Sequence, residues 1–161
     1  MEHLRVLIVD DDVDMARLIS FRLLRDAQHF SISFAGGGRE ALEYLKNNPV
    51  DCILSDFQMP EMDGMEFLKA VREQGNGVPF IFVTGQGNEQ VAREAFKNGA
   101  DDYFTKETGF AHFARIINSV EQAIKKRIAE RAKMAAETAL FESETRYRTF
   151  VANTSEAIWR V

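Results

Sequence analysis

A single cysteine among 161 residues, Cys52, leaves no intrachain disulfide to form and fits a reducing compartment. No apolar run comes near the roughly 20 residues that a membrane-spanning helix requires. The opening MEHLRVLIVDDD also lacks the basic region, long apolar stretch and cleavage site of a secretory leader. A cytoplasmic chain with no membrane partner is therefore expected. Basic charge is scarce in the first two thirds, where residues 1–110 hold 19 acidic against 11 basic side chains. Phosphate contacts need a basic face, so no nucleic-acid partner is expected. Residues 111–161 reverse the balance, with 6 acidic against 9 basic, and beyond Gly109 there is neither glycine nor proline. The chain thus divides into an acidic first part and a second part with nothing to interrupt a helix.

Five short apolar runs punctuate the first part: Leu4–Val9, 30–34, Cys52–Ser55, Phe80–Thr84 and 103–105. Between them the apolar residues take helical spacing. Ala16, Ile19, Leu23 and Ala27 form one stripe; Ala41, Leu42 and Leu45 another; Met65, Leu68 and Val71 a third; and Val91, Ala95 and Phe96 a fourth. Asn88 is placed to cap the last of these helices. Regular alternation of strand and helix predicts a parallel sheet covered by helices on both faces. The glycines of AGGGREAL and TGQGNE lack a Walker lysine and the dinucleotide spacing, so they read as turns and loops rather than phosphate cradles.

In an open α/β sheet, ligands bind beyond the carboxyl ends of the strands, near the point where strand order reverses. The residues found there are Asp10, Asp11 and Asp12 after the first strand, Asp56 after the third, Thr84 at the end of the fourth and Lys106 after the fifth. Two carboxylates about 4 Å apart repel by roughly 4 kcal/mol at an effective dielectric near 20, so gathering Asp10, Asp11 and Asp56 calls for a cation. The donors are hard oxygens, which points to Mg²⁺ (or Mn²⁺) rather than zinc. Such an ion beside a carboxylate, an ammonium and a hydroxyl is equipment for handling a phosphoryl group. Asp12 is better placed to start the first helix.

In LIVDDD, ILSDFQMPEMDGMEFL, IFVTGQG and GADDYFTKE, in that order, the chain resembles a response-regulator receiver domain of two-component signalling over residues 4–120. The resemblance implies an α/β, flavodoxin-like doubly wound sheet of five parallel strands, order 2-1-3-4-5, with an extended C-terminal helix. It implies that Asp56 is the phosphoacceptor for a histidine kinase or phosphotransfer protein. Asp10, Asp11, Asp56 and the Gln58 backbone carbonyl would hold Mg²⁺. Thr84 would bond the new phosphoryl group, Tyr103 would follow it inward as the switch aromatic, and Lys106 would pair with the acyl phosphate. The protein would then be a phosphoacceptor rather than an enzyme. Glu107 departs from the family, which usually has a cis proline there; a non-proline cis bond costs about 2.5–4 kcal/mol, so a trans loop is expected. Two other readings stand beside this one. One is a phosphohydrolase with Asp56 as nucleophile, against which Gln58 occupies the position of a second acid. The other is a receiver-like dimerisation scaffold that never carries phosphate.

Beyond Phe110, apolar Ile117, Val120, Ile124, Ile128 and Ala132 follow steps of three, four, four and four. That spacing predicts a helix continuing to beyond Glu142, roughly 50 Å long at 1.5 Å per residue. An exposed stripe of Ile124, Ile128 and Met134 would pair with a second copy, giving a homodimer through helix 5 and the linker. ALFESETRYRTFVANTSEAIWRV is similar to the start of a PAS sensor domain, with a strand beginning in the last six residues. The expected organisation is a receiver over 1–122, a helical linker over 123–145 and the beginning of a PAS domain over 146–161, leading to an output module.

Overall fold

The computed structural model describes residues 2–85, 87–106 and 113–159, with side chains as far as Thr154. Within them, β1 (Leu4–Val9), β2 (Phe30–Ala35), β3 (Cys52–Ser55), β4 (Phe80–Thr84) and β5 (Asp102–Thr105) alternate with α1 (Val13–Asp26), α2 (Gly38–Asn47), α3 (Gly64–Glu73), α4 (Glu89–Lys97) and α5 (Phe113–Trp159). The sheet runs β2-β1-β3-β4-β5 and every pairing is parallel. This is the five-stranded doubly wound fold the sequence predicts, with strand limits within a residue of those expected.

Successive side chains of a strand point to opposite faces, and that alternation builds two core layers. Val6, Ile8, Cys52, Leu54, Ile81 and Val83 face one layer with Ala16, Ile19 and Leu23 of α1. Leu7, Val9, Ile53, Phe80 and Phe82 face the other, with Ala41 of α2 and Met65, Phe67, Leu68 and Val71 of α3. A strand buried on both faces has no polar alternation to show, which explains the unbroken apolar runs. Phe96 is the exception to its predicted stripe: it is 49% exposed, while Ala95 beside it is fully buried. The backbone N–H groups at helix starts are capped where the sequence offers a carboxylate or amide. Asp12 accepts from the Met15 N–H (3.1 Å), Asp63 from Glu66 (2.8 Å) and Asn88 from Val91 (2.9 Å), contacts worth about 1 kcal/mol each.

At the opposite end of the sheet, one α3 side chain joins several segments. The Arg72 guanidinium donates to the carbonyls of Asn76 (3.0 Å), Val78 (2.7 Å) and Gly99 (2.7 Å) and lies 3.5 Å from the Asp101 carboxylate. Asp101 in turn accepts from the Phe80 N–H at 2.8 Å. The amino ends of β4 and β5 are thereby fixed to the end of α3.

The chain divides into two compact units, residues 1–124 and 125–161. In the first, α5 buries Phe113, Ile116, Val120 and Ile124 against the α1 layer. Its polar side is tied by Ser119, whose hydroxyl donates to Asp102 at 2.6 Å, and by Glu121, 2.9 Å from His29 Nε2. Ile124 is therefore a core residue, 5% exposed, and not part of an exposed stripe. In the second unit the chain is helical as far as Trp159, and Ile128 and Met134 are exposed. The strand expected at the end of the chain is not formed: residues 156–159 are helical, and 160–161 lie outside the described residues. A helix closes its hydrogen bonds within its own segment, whereas a strand needs a neighbouring strand to pair with.

Candidate functional site

The parallel register fixes which residues meet. Val9 stands opposite Ala35 and Ser55, Ser55 opposite Phe82, and Thr84 opposite Thr105, so the strands' carboxyl ends are level. Asp10 and Asp56 each leave the sheet one residue later, still held by it: the Asp10 N–H donates to the Ala35 carbonyl (3.1 Å) and the Asp56 N–H to that of Val9 (2.8 Å). Carboxylate oxygens of Asp10, Asp11 and Asp56 all lie within 4.8 Å of one another. Lys106, one residue past β5, reaches between two of them, with Nζ 2.7 Å from Asp10 Oδ2 and 3.2 Å from Asp56 Oδ2. The remaining oxygens are held by the main chain. Asp10 Oδ1 accepts from the Asp12 N–H (2.9 Å) and Asp56 Oδ1 from the Phe57 N–H (2.7 Å).

Charge is unevenly balanced. Burial raises the pKa of Asp10 despite the Lys106 hydrogen bond and ammonium, and the charge of Asp56 adds to the rise. Burial opposes the charge on Lys106, but its bonds to Asp10 and the two carboxylate charges outweigh it, so its pKa is raised as well. The two directions agree on one point. The Lys106 ammonium bonds two of the three acids, so the three-carboxylate cluster carries more negative than positive charge. An oxygen-lined site with surplus negative charge is the donor set of a hard divalent cation. Asp11 is exposed and lines an open pocket with Phe57, Gln58, Met59, Pro60 and Asp63.

Thr84 is buried at the end of β4. Tyr103, on β5, is half-buried: its ring packs 6.1 Å from that of Phe82, which also touches Phe57 at 5.9 Å. Burial and the charge of Asp56 both raise the phenol's pKa. Of the sequence-predicted residues, the structure brings Asp10, Asp11, Asp56 and Lys106 together, with Thr84 at the adjoining strand end and Gln58 lining the pocket beside Asp11, and it adds one that spacing does not reveal. Gly64, at the start of α3, donates to the Phe57 carbonyl at 2.6 Å. A Cβ there would stand 2.4 Å from the Asp56 carbonyl oxygen and 2.7 Å from the Phe82 ring. We expect Gly64→Ala to cost about 1–3 kcal/mol of stability, the usual effect of overpacking, seen as a lower urea midpoint; an unchanged midpoint would mean that the β3–α3 segment yields freely. The step from Lys106 to Glu107, and with it the expected trans loop, lies outside the described residues.

Comparison with known proteins gives the same family from two directions. A sequence model described as response regulator receiver domain matches residues 6–118. The transcriptional regulatory protein SrrA of Staphylococcus aureus is 41% identical over 101 residues, which is 63% of this chain and 41% of that protein. The chain therefore matches about two fifths of that relative's length. Among solved structures, the receiver domain of the Francisella response regulator 1452 is 30% identical, with a TM-score of 0.69 over 78% of this chain and 99% of that one. The chemotaxis response regulator CheY4 of Vibrio cholerae is 31% identical, with a TM-score of 0.65 over 73% of this chain and 98% of that one.

Proposed function

Because the chain belongs to the response regulator receiver domain family, we propose that it is the phosphoacceptor of a His-Asp phosphorelay, taking a phosphoryl group onto Asp56 from the phosphohistidine of a histidine kinase or phosphotransfer protein. The observation that carries this reading is Lys106 Nζ between Asp10 and Asp56 within a three-carboxylate cluster. In the transfer, an Asp56 oxygen forms a bond to phosphorus as the bond from phosphorus to the donor imidazole breaks. The bonding pair stays on the imidazole nitrogen, and the product is an acyl phosphate. Asp56 is held ready by the Phe57 N–H and the Lys106 ammonium. Lys106 would offset charge on the transferred group, and the Thr84 hydroxyl would donate to one of its oxygens. Asp10, Asp11, Asp56 and the Gln58 carbonyl would hold Mg²⁺ or Mn²⁺, which when bound supplies charge neutralisation at the phosphoryl oxygens. Tyr103 would answer the movement of Thr84.

Stoichiometric labelling with a small phosphodonor and Mg²⁺ tests this. One stable equivalent per chain is expected; continuous turnover would favour an Asp-nucleophile hydrolase, and no label a receiver-like scaffold.

The signal would leave through α5. Residues 1–122 would form the receiver, 123–145 a helical linker, and 146–161 the beginning of a PAS-containing module in a cytoplasmic protein. The exposed Ile128 and Met134 suit pairing with the same helix of a second copy, since a symmetric dimer is the commonest way to cover such a surface. Ile128→Glu is the informative variant, because Ile124 is buried in the core layer beside α1. Sedimentation should show a dimer that this substitution dissociates; a monomeric wild type, or an equally dimeric variant, would count against the pairing.

A further inference from the structure

We propose that Gly87 is the socket for the Tyr103 hydroxyl, and that the residue at this one position decides whether the switch aromatic can lie inward. The sequence gives Gly87 no role beyond a loop, and the backbone does not require glycine, since its φ lies outside the left-handed range in which Gly75 and Gly99 are found. Space is what it supplies. A Cβ at position 87 would stand 1.4 Å from the Tyr103 hydroxyl oxygen and 2.7 Å from Cζ. No rotation of a methyl group relieves that overlap, so with alanine there something must shift, and the far end of the tyrosine is the group in the way. Gly85, two residues earlier, behaves differently: its nearest neighbour would be Lys106 Cδ at an ordinary 3.8 Å.

The socket holds the hydroxyl without rewarding it. The Tyr103 oxygen is buried and has no hydrogen-bond partner among the described residues, and a buried hydroxyl left unpaired is costly. The ring itself packs against Phe82. Apolar contact thus favours the inward position and the unpaired hydroxyl opposes it. Position 87 can tip that balance. The functional consequence rests on reading Tyr103 as the switch residue that follows Thr84: if the phosphorylated state needs the inward ring, barring that ring must weaken phosphoryl-group capture by the same factor, because coupling is reciprocal.

Ring-labelled tyrosine NMR tests the socket directly, because the chain has only three tyrosines and Tyr103→Phe assigns the resonance. Gly85→Ala should leave the Tyr103 ring signal in place, while Gly87→Ala should move it to a solvent-exposed position. With Mg²⁺, the affinity of Gly87→Ala for beryllofluoride, used as the phosphoryl mimic, should fall by at least about fivefold. An unmoved ring in Gly87→Ala overturns the proposal whatever the affinity, and a moved ring with unchanged affinity overturns its link to the site. Should wild type bind no beryllofluoride, the phosphoacceptor reading fails while the ring signal still decides the socket. If Gly87→Ala does not fold, Gly87→Ala with Tyr103→Ala should melt where Tyr103→Ala alone does; a double variant that still fails to fold overturns the assignment.

Discussion

Asp56→Asn should take no phosphoryl label, and the loss should be complete rather than partial. The substitution keeps the shape of the side chain, and its carbonyl oxygen can still accept from the Phe57 N–H that now meets Asp56 Oδ1 at 2.7 Å. What it removes is the anionic oxygen that must bond to phosphorus. No neighbour replaces it. Asp10 is almost wholly buried, with one oxygen on the Asp12 N–H and the other on Lys106, while Asp11 stands exposed at the rim. Lys106→Ala should behave differently: the nucleophile survives, but an ammonium that would face the developing charge is gone, so labelling should slow by about 10²–10³-fold. Rapid-quench labelling with a small phosphodonor separates the two patterns. Asp56→Asn labelled at the wild-type rate would remove Asp56 from the chemistry.

The second large effect concerns stability. Three carboxylates gather beside one ammonium that bonds two of them, and burial raises the pKa of Asp10 despite that ammonium. A raised folded-state value means that the folded chain holds this proton more tightly than the unfolded chain. The stability linked to Asp10 is therefore greatest in acid and falls as pH rises through the folded-state value, so at neutral pH the charged Asp10 costs stability. Two results follow. Without divalent cation, Asp10→Asn should melt above wild type at neutral pH, and the difference should shrink on acidification below the carboxylate range. With Mg²⁺ at about 100 times its dissociation constant, wild type should gain about 2.7 kcal/mol, or roughly 5–10 °C for a chain of this length. Asp10→Asn should gain much less. Thermal melts with EDTA and with Mg²⁺ at two pH values test both; a metal-free Asp10→Asn less stable than wild type would show that the cluster is already balanced.

Much of this was legible in the sequence, and the reason differs by feature. Strands buried on both faces leave unbroken apolar runs, so Val6–Val9 and Phe80–Val83 announce themselves. Asp10, Asp56, Thr84 and Lys106 could be found because strand ends list the contents of a crevice once strand order is assumed. Periodicity, however, gives the direction of a side chain and not the depth of its surroundings. That is why Ile124 and Ile128, one helical turn apart in the same stripe, separate into a core residue and an exposed one, and why Phe96 faces outward beside a buried Ala95. Nor does a glycine in a sequence say why it is there. Gly64 carries no signal in the sequence and Gly87 reads as a loop, yet each is small because another chain segment or side chain occupies the place of its Cβ.

The Arg72 crosslink gives the domain a mechanical polarity. Its guanidinium fastens the ends of β4 and β5 that lie farthest from the acid cluster, so these strands resemble bars clamped at the end remote from it. A force applied at the other ends, where Thr84 and Lys106 stand, is resisted lengthwise by that anchor. It is relieved sideways, toward the helices packed against the sheet. An anchor far from the chemistry thereby directs a small displacement outward.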